Sequence, residues 1–140
     1  MTIWVLNGPN LNLLGVREPE IYGTQGFDSY LGTLRAAFPC VRIDHFQSNS
    51  EGALIDQLQA AGRSADGIVL NAGGYSHTSV ALLDCIRAIP APVVEVHLSN
   101  IFAREPFRRT SLLAPACRGV IAGLGLEGYR AACEWIIHNA

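Results

Sequence analysis

The sequence contains no lysine; all ten of its basic residues are arginines, from Arg17 to Arg130. Schiff-base chemistry, a pyridoxal-type enzyme and a P-loop with its phosphate-gripping lysine are therefore excluded. It also has no C-x-x-C, no H-E-x-x-H and no G-x-S-x-G. Paired-cysteine metal sites, zincin chemistry and the serine-hydrolase elbow go with them, and the four scattered histidines suggest no metal. Charge is sparse, at 16% of residues, and a net charge of −2 draws the whole molecule to neither nucleic acid nor an anionic membrane. No run of about 20 apolar residues is present to span a bilayer. No basic segment followed by an apolar stretch opens the sequence. The expectation is a cytoplasmic protein without membrane or nucleic-acid partners.

What is present is globular. The 140 residues are 49% apolar, which predicts one domain over 1–140. A chain of that size buries about 70% of its unfolded surface without needing disulfide or metal staples. The four cysteines, at 40, 85, 117 and 133, are far apart among apolar neighbours and read as buried reduced thiols.

Short apolar runs alternate with helix-period segments five times. Strands are expected at 3–6, 40–46, 67–71, 92–96 and 119–122. The first, third and fourth (IWVL, GIVLN, PVVEV) are almost continuously apolar, as parallel strands covered on both faces are. Between them, Tyr30, Leu31, Leu34 and Phe38 share one helical face, and Leu54, Leu58 and Ala61 another, behind a Ser48-x-x-Glu51 capping box. A third helix follows Thr78 or Ser79, and Tyr129, Ala132, Cys133, Ile136 and Ile137 mark the last. This alternation predicts an α/β fold: a flavodoxin-like, doubly wound, five-stranded parallel sheet of order 2-1-3-4-5. Ligands then sit beyond the carboxyl ends of the strands, near the switch between strands 1 and 3.

Three strand ends carry the polar chemistry. The first is followed by a long connection with Asn7, Asn10, Asn12, Arg17 and Tyr22, and its stretch at about 16–24 reads as a lid. The third delivers Asn71 and His77, with Asp84 seven residues on; a helix starting near His77 would put both on one face. The fourth delivers Glu95 and His97, two apart and on one side of a strand, then Leu98, Ser99, Arg104, Arg108 and Arg109. A carboxylate beside an imidazole fixes its tautomer. Gly123, Gly125 and Gly128 spell G-x-G-x-x-G, but the chain ends 12 residues later, leaving no room for the strand and acidic residue of a dinucleotide site. Tight helix–strand packing is the better reading. His45 and His138 read as structural or solvated.

Acid–base chemistry remains. An ordinary phenol has a pKa of about 10, and poising Tyr22 near 7–8 needs roughly 3–4 kcal/mol in favour of the phenolate. One desolvated guanidinium at about 4 Å supplies that, and Arg17 lies on the same loop. Such a base takes a proton α to a ketone, and the enolate expels a β-hydroxyl that His97 protonates. Asn10, through a water, suits the enolate oxygen. Asn71, His77 and Asp84 suit hydroxyls, Arg108 a hydroxyl or carboxylate, and the amides of Leu98 and Ser99 a carboxylate. The implied substrate is a small polyhydroxylated keto acid.

These motifs together resemble type II 3-dehydroquinate dehydratase. L-N-G-P-N-L-N-L-L-G-x-R-E-P-x-x-Y-G, F-Q-S-N-x-E-G-x-L-I-D, Y-S-H-T-S, V-E-V-H-L-S-N-I-x-A-R-E-x-F-R and G-V-I-A-G-L-G-x-x-G-Y carry the likeness nearly end to end. The resemblance implies dehydration of 3-dehydroquinate to 3-dehydroshikimate by anti elimination, without a cofactor. It implies Tyr22 as proton acceptor, His97 as donor and Arg17 as transition-state stabiliser, with Asn10 holding a water and Glu95 orienting His97. Asn71, His77, Asp84, Leu98, Ser99 and Arg108 would bind substrate. It further implies trimers assembled into a homododecamer, with Asp84 reaching a neighbour's site. Where the family usually reads N-P-G-A-Y-T-H-T-S, this chain has Ala72, Gly74 and Ser76, which is expected to loosen the loop. Phe102, Pro106 and Leu83 replace a common histidine, acidic residue and arginine. A non-catalytic module binding a quinate-like ligand is the rival reading, and it has no need of both Tyr22 and His97.

Overall fold

The structure, a computed structural model, describes residues 1–16, 18–22 and 24–140; the side chains of Pro19 and Tyr22 are outside that description. Five parallel strands form one sheet in the order β2-β1-β3-β4-β5. They are β1 (Thr2–Asn7), β2 (Arg42–Gln47), β3 (Gly67–Asn71), β4 (Val93–His97) and β5 (Gly119–Ala122). The helices are the short α1 (Pro19–Tyr22), then α2 (Phe27–Ala37), α3 (Glu51–Gly62), α4 (Val80–Ala88) and α5 (Glu127–Asn139). The expected fold and strand order hold.

Side chains alternate across the pleat and sort the core into two layers. Ile3, Val5, Val69, Val94 and Val96 point to the face covered by α2 and α5, where Leu34, Tyr129 and Ile136 are buried. Leu6, Ile68, Leu70 and Val93 point the other way, onto Leu54 and Leu58 of α3 and Leu82 and Ile86 of α4. Both central strands, β3 and β4, are buried along their whole length, which is why their sequences lack polar alternation.

Local details differ from expectation in three places. The α3 cap is Ser50, whose Oγ accepts from the Ala53 amide at 3.3 Å; Ser48 instead accepts from the Ser50 amide at 3.0 Å, a turn earlier than its helix. Strand β2 starts at Arg42 because Val41 N–H donates to the Phe38 carbonyl at 3.0 Å, keeping residues 40–41 in the turn that ends α2. Among the cysteines, Cys85 and Cys133 are buried and Cys117 is half-buried, but Cys40 in that turn is exposed. The reading of Gly128 holds: a Cβ there would stand 3.3 Å from Val96 and 3.4 Å from Ile121, so its absence lets α5 lie close on the sheet. Among the described residues no helix is long and apolar enough to cross a membrane.

The carboxyl ends of β1 and β3 are adjacent, with Asn7 opposite Asn71. Beyond them the chain turns back on itself closely: Gly8 N–H donates to the Asn71 carbonyl at 2.7 Å. A Cβ on Gly8 would meet the Ala72 carbonyl oxygen at 2.5 Å, with backbone atoms that cannot swing aside. Gly8→Ala is therefore expected to destabilise by about 2 kcal/mol or more, read as a lowered urea midpoint, and an unchanged midpoint would show that the turn can open.

Candidate active site

Two adjoining hollows open at the switch between β1 and β3, sharing Leu11, Gly73 and Arg108. One, of about 120 Å³, is lined further by Pro9, Asn10 and Gly74. The other, of about 50 Å³, is lined by Asn71, His77, His97, Leu98, Ser99 and Arg104 among others. Both are small beside the ~300–1,000 Å³ of drug-sized sites, so they suit a small molecule. Three strand ends thus deliver Asn10, Asn71, His77, His97, Leu98, Ser99 and Arg108 to one place.

Glu95 and His97 leave β4 on the same side, as their spacing requires. Glu95 is completely buried, and its Oε2 lies 2.5 Å from His97 Nε2. That bond leaves Nδ1 as the ring nitrogen not held by Glu95. The other carboxylate oxygen accepts from Ser111 Oγ at 2.9 Å and from the Cys117 thiol at 3.9 Å. Ser111 Oγ itself accepts from the Leu113 and Ala114 amides, each at 3.2 Å. Burial, and then the Glu95 charge, push the Cys117 thiol up to about 12, so it stays a protonated donor. The chain of amides, hydroxyl and carboxylate ends on the imidazole.

His77 closes a 3-10 turn, Gly73–His77, and its Nδ1–H donates to the Thr110 carbonyl at 2.8 Å. Its ring stacks on that of His97 with centroids 6.0 Å apart. Arg108 Nε donates to Glu105 Oε2 at 2.5 Å, and that bond holds the Glu105 carboxyl below the usual carboxylate range. Arg104 Nη1 reaches Ser99 Oγ at 3.4 Å. Asn10 sits in the left-handed region at φ 70°, its amide donating to Asn49 Oδ1 at 3.0 Å. Asparagine tolerates that conformation better than most residues.

Asp84 is elsewhere. Helix α4 begins at Val80 behind the Ser79 cap, not at His77, so the two-turn relation between His77 and Asp84 does not exist. Asp84 is exposed on α4 and lines neither hollow. Arg17 lies outside the described residues, and so does the side chain of Tyr22, whose backbone ends α1. Among the described residues no three His, Cys, Asp or Glu side chains gather as a metal site would need.

Residues 1–137 match the family described as dehydroquinase class II. The chain belongs to that family. A curated relative from Roseiflexus castenholzii, called 3-dehydroquinate dehydratase, is 52% identical over 139 residues, covering 98% of this chain and 88% of its own. A solved type II dehydroquinase from Butyrivibrio crossotus superposes with a TM-score of 0.95 at 40% identity, covering 98% of this chain and 97% of its own. Another from Propionibacterium acnes gives 0.93 at 39% identity, covering 99% and 97%.

Against the family's usual loop, Ala72 has φ −79°, near the value a proline imposes. Gly74 has nothing within 4 Å of a built Cβ and no positive φ. Gly74→Ala is therefore expected to stabilise by roughly 0.4–1 kcal/mol through the unfolded chain, measured as a raised urea midpoint; a lowered one would mean the loop needs glycine there.

Ser111 was not evident from the sequence, and neither was the role of His45. That ring lies beside Asn7, whose Nδ2 is 3.3 Å from Nε2, and tilts against Phe27 with centroids 4.7 Å apart. Burial lowers its pKa from the ordinary 6.5, with Asp28 pulling it up and Arg35 pushing it down. The folded state thus binds fewer protons than the unfolded one below about 6.5, and stability falls as pH drops through that value. His45→Gln, which keeps an acceptor but does not titrate, is expected to lose less stability than the parent between pH 7.5 and 5 in parallel urea titrations. Equal losses would detach His45 from the acid sensitivity.

Proposed function

We propose that the chain is a 3-dehydroquinate dehydratase, a hydro-lyase taking 3-dehydroquinate to 3-dehydroshikimate and water. The observation that carries this reading is the buried Glu95–His97 pair facing Asn71, His77 and Arg108 in a small polar hollow, in a chain of the class II dehydroquinase family.

Tyr22, held as its phenolate by Arg17, removes the proton α to the ketone. The electron pair passes into an enolate, whose oxygen is met by a water held by Asn10. The enolate re-forms the ketone as the β carbon–oxygen bond breaks, and His97 gives its proton to the departing hydroxyl, so that water leaves. Glu95 and Ser111 keep the imidazole aimed while it does so. His77 and Asn71 suit the substrate hydroxyls, Arg108 and the amides of Leu98 and Ser99 its carboxylate. No step asks for a cofactor. Arg17 and Tyr22 belong to a lid at about 16–24 that completes the site on closing, within a single domain over 1–140.

The exposed position of Asp84, away from its own chain's hollows, supports a role in a neighbouring subunit. A homododecamer built of trimers would bring it there. The four free thiols fit a reducing, cytoplasmic setting.

Adding 3-dehydroquinate should generate the ultraviolet absorbance of a conjugated enone, at a rate untouched by chelator. Tyr22→Phe should lower kcat by about 10²–10⁴-fold, the range of a general base, while substrate binding by calorimetry persists. Near-normal turnover in that variant would remove Tyr22 from the role, and saturable binding without turnover in the parent would favour the binding module.

A further inference from the structure

Tyr129 lies on α5, 58 residues beyond Asn71, and lines neither hollow. Its ring is completely buried against Phe27 and Tyr30, as an aromatic core residue would be. Its hydroxyl is not idle. Asn71 Nδ2 donates to it at 2.9 Å, and it donates in turn to Asn7 Oδ1 at 2.7 Å. Asn7 Nδ2 then reaches His45 Nε2 at 3.3 Å.

The direction of this chain is set at one end by a group that cannot reverse. Gly73 N–H, a fixed backbone donor, points at Asn71 Oδ1 from 3.2 Å. The carboxamide must therefore present oxygen to Gly73 and nitrogen to Tyr129. The phenol, kept protonated by its burial, must accept from Asn71 and pass its own proton to Asn7. Asn7 must then offer its nitrogen to His45, which accepts only as a neutral ring. Every orientation follows from the one before it. Asn7 and Asn71 are buried with Tyr129, so none of these groups can turn to solvent for a substitute partner.

We infer that Tyr129 is a positioning residue for the active site, acting through Asn71. By accepting one N–H of that carboxamide while Gly73 N–H takes one lone pair of its oxygen, it leaves the other N–H and lone pair in a single orientation beside His77 and His97. The oxygen of the same carboxamide accepts from the N–H of Gly73, the first residue of the turn that carries His77. Tyr129 touches no substrate; it determines which edge of Asn71 a substrate hydroxyl meets. This rests on the dehydratase reading and on Asn71 as a substrate-binding residue.

The test is a double-mutant cycle with Tyr129→Phe and Asn71→Ala, assayed with 3-dehydroquinate, alongside hydrogen exchange of the Gly73 amide in the ligand-free protein. Phenylalanine keeps the ring packing and removes only the hydroxyl. Tyr129→Phe should lower kcat/KM about tenfold in the parent and less than about twofold when Asn71 is already alanine. The Gly73 amide should exchange faster by about the same factor. An equal loss in both backgrounds, or no loss in the parent, overturns the inference, since a merely structural effect would not depend on Asn71. Should Tyr129→Phe fail to fold, Asn7→Ala enters the same cycle with the same pattern expected at smaller size. Should the parent not turn over 3-dehydroquinate, the dehydratase reading fails, while unchanged Gly73 exchange in Tyr129→Phe would still independently overturn the positioning role.

Discussion

The chain lays β1 down in the sheet's interior, adds β2 on one side and β3, β4 and β5 on the other. That reversal is the constraint on which the site depends. The connection leaving β1 and the connection leaving β3 depart to opposite faces, because one leads to α2 and the other to α4. Between them stays a crevice that no helix fills. Asn7 and Asn71 mark its floor as register partners, and Gly8 lets the two departing backbones pass at contact distance. A side chain at Gly8 would force the strand ends apart, and with them the loop that bears Asn10 and the turn that bears His77.

The long fourth connection has a physical reason of the same kind. A completely buried carboxylate costs several kcal/mol in lost hydration unless its oxygens are met by donors. For Glu95, residues 98–118 fold back to supply Ser111 and Cys117 while the strand itself supplies His97. Ser111 can donate to the carboxylate because two amides donate to its oxygen, and hydrogen bonds arranged in series in this way reinforce one another. The same segment carries Arg104 and Arg108 past the hollow on its way. Solvating Glu95 and placing the arginines are one structural act.

The sequence made the sheet legible because apolar runs, helix periods and glycine turns are local signals read at short range. It also points to His97, Glu95 and Asn71, since residues at strand ends inherit their direction from the strand, whereas Arg108 lies in a 3-10 turn beyond β4. Ser48 and Ser50 stand two residues apart before one helix, and only backbone geometry shows that Ser50 is its cap. Helix period alone puts Asp84 on the face of His77, because it says nothing of the 3-10 turn that intervenes. Ser111 carries no signal in the sequence, and Tyr129 signals only the apolar face of the last helix. One is a serine among loop residues and the other an aromatic at a core position of α5, and each matters through a partner 16 or 58 residues away. Long-range hydrogen bonds have no period to read.

The absence of lysine takes on a second meaning once the site is seen. Guanidinium groups do not lose their proton at any working pH, so the positive charges lining the hollow are constants. Arg108 is bound through Nε to Glu105, and that bond holds the Glu105 carboxyl below the usual carboxylate range. Arg108 lines both hollows, and in the proposed site its remaining N–H groups would offer a ligand a fixed charge and a fixed plane. A carboxylate substrate bound against such groups exchanges no proton with them. In the mechanism proposed above, proton traffic is left to a separate set of groups, His97 with its carboxylate and the phenol opposite it, so that gripping the substrate and moving its protons would not compete.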